Sequence, residues 1–98
     1  MKATRGLLYL RQGDLAKARE LYKSAAALAS QYGHKELATL IRLKMHLEFA
    51  RDSLRRGDAD TALRETNLGI DLCEVHSDVS YRNELILLKQ QLQSHLQS

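Results

Sequence analysis

The side chains in this 98-residue chain best suited to ligate zinc or act as a base or nucleophile near neutral pH are four histidines and one cysteine: His34, His46, Cys73, His76 and His95. Only Cys73 and His76 stand close enough, at i and i+3, to share one turn of a helix. Two ligands do not close a tetrahedral zinc site. The reading is a buried cysteine beside a solvated turn histidine. There is no glycine-rich phosphate loop and no nucleophile motif. The carboxylates are spread along the chain as on solvated helix faces. No catalytic activity, metal or cofactor is therefore expected.

A second candidate is Arg56-Gly57-Asp58, the integrin-binding tripeptide of extracellular proteins. Leu10 to Asp14 reads LRQGD, and Leu54 to Asp58 reads LRRGD. Gly and Asp recur while Arg56 does not. What recurs is a helix stop followed by a helix cap. Arg11 and Arg55, shared by both copies, sit where a cation favours the C-terminal end of a helix dipole. With a single cysteine there is no intrachain disulfide framework, so a reducing, cytoplasmic setting is expected.

The elements around these turns are helical. Leu, Ala, Lys, Arg, Glu and Gln dominate and proline is absent, so the expected class is all-α. The chain is 44% apolar and 28% charged, suited to one globular domain. No apolar run is long enough for a signal peptide or a membrane span. The net charge of +3 is mildly basic and lacks an aromatic-studded basic face, so direct nucleic-acid binding is not expected.

Glycine punctuation and 3,4 spacing predict five helices, over 2–12, 15–32, 35–56, 59–75 and 79–96. Asp14 and Asp58 are the expected N-caps, and Gly33 the expected left-handed C-cap. The second helix should bury Leu15, Ala18, Leu21, Tyr22, Ala25, Leu28, Ala29 and Tyr32. The third should bury Leu37, Leu40, Leu43, Leu47, Ala50 and Leu54, widened by Ile41, Met45 and Phe49. The fourth should turn Ala62, Leu63, Thr66, Gly69, Ile70 and Cys73 inward, with Thr66 and Gly69 permitting close helix approach. His76-Ser77-Asp78 reads as a turn and cap. The fifth should bury Tyr81, Leu85, Leu88, Leu92 and Leu96.

L-R-x-G-D-x-x-x-A occurs twice, 44 residues apart, which marks an α-solenoid of helical hairpins. Gly6, Tyr9, Gly13-Asp14, Ala18, Tyr22 and Ala25 stand at the spacings of a known signature, and on them the first unit resembles the tetratricopeptide repeat. The second unit, with Ala50, Gly57, Asp58, Ala62 and Gly69, is more degenerate. Ser53 and Thr66 replace its aromatics. Ser30 and Glu74 stand where the family has proline, and Lys2 where it has a large apolar residue. The separation exceeds the family's period of about 34. The units cover about 2–32 and 35–75, with 79–96 as a capping helix of the same domain.

The resemblance implies a non-catalytic scaffold or adaptor that binds a protein or peptide on the surface lined by the first helix of each pair. It places Leu7, Leu10 and Arg11 there from the first unit, and Lys44, Leu47, Arg51, Leu54 and Arg55 from the second. An apolar surface with a basic rim fits an acidic or amphipathic segment. The family's carboxylate clamp is disfavoured, because Ala3, Leu7 and Leu47 occupy its positions. The alternative is a regulatory or sensor domain of a larger protein, such as a bacterial regulator that also binds nucleic acid. The first helix has nothing before it to pack on, so a piece of a longer protein, or self-association through that helix, is expected.

Overall fold

The computed structural model describes the backbone of residues 2–97 and the side chains of residues 5–94. Among these residues the chain is all-helical, with no strand. The helices are α1 (Lys2–Arg11), α2 (Leu15–Gln31), α3 (Lys35–Arg55), α4 (Ala59–His76) and α5 (Arg82–Gln97). The first four end within one residue of the expected positions. No helix among the described residues is long and apolar enough to cross a membrane.

The two Gly–Asp turns are built alike, bond for bond. Gly13 N–H donates to the Leu10 carbonyl and Asp14 N–H to that of Tyr9, at 3.0 and 2.9 Å. Gly57 and Asp58 make the same bonds to Leu54 and Ser53 at the same distances. This is the Schellman arrangement, which needs a left-handed residue. Gly13 at φ +87° and Gly57 at φ +81° supply it. Each aspartate then caps the next helix: the Asp14 carboxylate accepts from Lys17 N–H and that of Asp58 from Thr61 N–H, both at 3.1 Å. Gly33, also left-handed, closes α2 in the same way, with His34 N–H donating to the Ala29 carbonyl at 2.8 Å.

The chain divides into two compact units, residues 1–45 and residues 46–98, with the division inside α3. In the first, α1 packs on α2. The approach is close at Gly6, where a Cβ would lie 2.9 Å from Tyr22 Cδ2 and 3.2 Å from the Ala18 carbonyl oxygen. In the second, α4 packs on α5. A Cβ on Gly69 would meet both Leu85 methyls at 3.0 Å and His46 Cβ at 3.4 Å. Gly69 thus allows the close approach that its place in mid-helix implies.

The buried face of α2 differs from the expected one. Ala18, Tyr22, Ala26 and Ala29 are buried, whereas Leu15, Leu28 and Tyr32 are exposed and Leu21 and Ala25 half-buried. Ala26 lies about 40° around the helix from Tyr22, while Leu28 lies about 120° away. Tyr22 and Ala18 on this face are the residues that meet Gly6 of α1. In α3 the widened stripe is seen: Ile41, Leu43, Met45, Leu47, Phe49 and Ala50 are all buried. Leu37 is exposed, and Leu40 and Leu54 are half-buried. In α4 Ala62, Thr66, Gly69 and Cys73 are buried as expected, with Leu63 and Ile70 half-buried.

α5 begins three residues later than its spacing predicts. The Asp78 carboxylate accepts from Ser80 N–H at 2.8 Å, forming an Asx turn instead of a helix cap. Tyr81 then takes a left-handed φ of 61°, and its carbonyl accepts the first helical bond, from Leu85 N–H. Val79 is left 78% exposed. Leu85, Leu88 and Leu92 are buried and Tyr81 half-buried; the side chain of Leu96 lies outside the described residues.

A Gly6→Ala variant should lose more to the clash with Tyr22 and the Ala18 carbonyl than the roughly 1 kcal/mol it gains in helix propensity. Its melting temperature should be lower than that of the parent; an unchanged or raised value would show that α1 can shift freely. The Asp58 carboxyl is held below its ordinary 3.8 by hydrogen bonds from the Thr61 hydroxyl and then the Thr61 N–H. Its contribution to stability is therefore present above about pH 4 and lost as pH falls through the lowered value. Thermal melts of the parent and an Asp58→Asn variant should converge below pH 4, since asparagine still caps but does not titrate.

Candidate interaction surface

The C-terminal half of α3 interleaves acids and arginines at helical spacing. Glu48 precedes Arg51 by three residues, and Asp52 precedes Arg55 by three and Arg56 by four. On a helix these pairs face each other. Arg51 Nη1 donates to Glu48 Oε1 at 3.2 Å, and Arg56 Nε to Asp52 Oδ2 at 2.7 Å. Arg55 Nη2 lies 3.5 Å from Asp52 Oδ1. Both carboxylates are buried, while the three arginine side chains are 43–57% exposed. The arginines carry outward the charge that compensates acids inside. Each guanidinium has five N–H donors, and these pairs use only part of that set.

A second polar contact joins α3 to α4 inside the second unit. His46 Nδ1 lies 2.8 Å from Glu65 Oε2, with the side chains 14% and 3% exposed. The imidazole N–H donates to the carboxylate, which satisfies a charge that would be costly to bury alone. Gly69, one turn beyond Glu65, leaves room for the His46 Cβ. Among the described residues no buried side-chain nitrogen or oxygen lacks a hydrogen-bond partner.

The eight residues assigned to a ligand surface have different environments. Leu7, Leu10, Arg11 and Lys44 belong to the first unit, and Leu47, Arg51, Leu54 and Arg55 to the second. Leu10 and Leu47 are buried in the core at 0% and 1% exposure, so they offer no surface to a ligand in this conformation. Leu7, Lys44 and Leu54 are half-buried; Arg11, Arg51 and Arg55 are exposed. Arg51, Leu54 and Arg55 lie together along one helix. Of the residues matched to the carboxylate clamp, the side chain of Ala3 is outside the described residues, as is that of Lys2.

The carboxylates were expected on solvated helix faces, but Glu48, Asp52 and Glu65 are buried and paired with Arg51, Arg56 and His46. Spacing held no signal for His46 and Glu65, which are nineteen residues apart. Cys73 is buried at 2% exposure, and its thiol donates to the Ser80 carbonyl at 3.7 Å. Burial pushes the thiol up from its ordinary value, and the nearby Asp78 carboxylate adds to that. His76, the last residue of α4, is exposed. Among the described residues no group of three or more His, Cys, Asp or Glu is placed to hold a metal ion. No family model, curated protein or solved structure matches the chain.

His46→Ala removes a donor from the buried Glu65 carboxylate and should cost about 2–4 kcal/mol. A His46→Leu/Glu65→Leu double variant, which removes the buried charge too, should be more stable than that single one. Urea unfolding measures both. A double variant at least as unstable as the single would show that packing, not the ion pair, sets the cost.

Proposed function

We propose that the chain is a non-catalytic protein–protein interaction module, a scaffold or adaptor built as a tetratricopeptide-like α-solenoid with α5 as its closing helix. The observation that carries this reading is the duplicated turn, in which two Gly–Asp hairpins 44 residues apart share the same three hydrogen bonds. Repetition of a helical hairpin at fixed spacing is how solenoids are assembled. The close approach of Gly6 to Ala18 and Tyr22 supports the same reading, since these are three of the residues that carry the resemblance.

The ligand in this reading is an acidic or amphipathic segment. The exposed guanidinium groups of Arg51 and Arg55 are anchored by buried acids on their own helix, which holds them in place for a further carboxylate. Half-buried Leu54 lies between them in sequence and provides apolar contact. Arg11 supplies the equivalent charge in the first unit.

Binding of a labelled acidic amphipathic helix, followed by fluorescence anisotropy, tests the reading. An Arg51→Gln/Arg55→Gln variant should bind about tenfold more weakly, a loss of about 1.4 kcal/mol. Glutamine is preferred to charge reversal, because a carboxylate there would face buried Glu48 and Asp52. Equal binding of a basic peptide of the same hydrophobicity, or no change in the variant, would remove the acidic-ligand assignment.

A further inference from the structure

The division of the chain inside α3 also divides its charge. Residues 1–45 carry nine basic and three acidic side chains, net +6, and residues 46–98 carry six basic and nine acidic ones, net −3. A net charge of +3 conceals this opposition. Each unit also exposes an apolar side chain among its own charges. On α1, Leu8 is 56% exposed, and Arg5 and Arg11, both exposed, stand three residues to either side. Arg5 and Arg11 lie about 60° around the helix to either side of Leu8, so the three form one outward patch with a leucine between two cations. On α4, Leu68 is 45% and Val75 77% exposed, with half-buried Leu72 between them at i+4. Asp71 and Glu74, both exposed, lie along one side of this stripe, and exposed Arg64 stands one turn before Leu68.

We propose that the protein associates head to tail with a second copy of itself, the Arg5–Leu8–Arg11 patch of one copy docking on the Leu68–Leu72–Val75 stripe of the next. Leu8 packs on the apolar stripe, and Arg5 and Arg11 reach Asp71 and Glu74. The two surfaces differ, so the contact is heterologous, and each copy in a pair retains one surface open. Opposite net charges on the two units steer encounter into this orientation and oppose like-to-like docking. A polyanion such as a nucleic acid would meet the same basic face. The negative unit on the same chain repels it, and Leu8 at the centre of the patch offers no stacking platform for a base. The inference stands on exposure and charge and does not require the peptide-binding reading.

Light scattering and sedimentation of the full chain over a wide concentration range test it. At low salt the parent should associate as concentration rises, and added salt should weaken association at least about tenfold. A head variant, Arg5→Glu/Arg11→Glu, and a tail variant, Asp71→Lys/Glu74→Lys, should each stay monomeric where the parent associates. Leu8→Ser should weaken association without altering charge. Mixed in equal amounts, the head and tail variants should associate again, because the intact head of one meets the intact tail of the other and the two reversed surfaces are themselves opposite in charge. Parental circular-dichroism melts show that the variants fold, as expected for exposed positions. A parent that stays monomeric at low salt, a mixture that stays monomeric, or self-association retained by both variants would overturn the proposal. So would a monomeric parent that binds a single-stranded oligonucleotide and loses it in the head variant alone.

Discussion

Every helix end leaves backbone groups without an intrahelical partner, and in this chain one short device answers for both sides of a junction. At Gly13-Asp14 the glycine turns left-handed so that the closing carbonyls of α1 are bonded, and the aspartate receives the opening N–H groups of α2. Gly57-Asp58 does the same between α3 and α4. The limits of these helices follow from where those turns fall. The Arg-Gly-Asp tripeptide is one consequence: its glycine and aspartate are the turn, and Arg56 lies on the preceding residue, bonded to Asp52.

Helices joined by such turns must still fit side by side, and small residues decide how closely. Gly6 admits Tyr22 and Ala18, and Gly69 admits Leu85 and His46. Close approach has a polar counterpart in the second unit. Glu48, Asp52 and Glu65 are buried, and each has a cationic or imidazole partner within 3.2 Å. For Glu48 and Asp52 those partners reach out to solvent, so the compensation of inner acids also sets the positive charge on the outer surface of α3.

The turns and helix limits were legible because they depend on residues within five positions of one another. The late start of α5 was not, because Asp78 has two local options, helix cap or Asx turn, and composition does not choose between them. The α2 face was misread for a different reason. Hydrophobicity ranks Leu28 above Ala26, but Ala26 lies near the direction of buried Tyr22 and Leu28 about 120° away from it. Of the surface residues the resemblance assigns, Arg11, Arg51 and Arg55 are exposed, whereas Leu10 and Leu47 are core. Apolar spacing marks a leucine as part of a stripe without saying whether solvent reaches it.

Sequence alone determined the all-α class, the five helices, the glycine stops and the aspartate caps. All of these are local, set by backbone conformational freedom and by bonds spanning three to five residues. Only tertiary structure decided which face of α2 is inside, which leucines remain open, that His46 meets Glu65 across nineteen residues, and that the chain parts within α3 into a basic and an acidic unit. These depend on contacts between elements, whose geometry is fixed by the fit of whole helix surfaces and leaves no short-range signature in the order of residues.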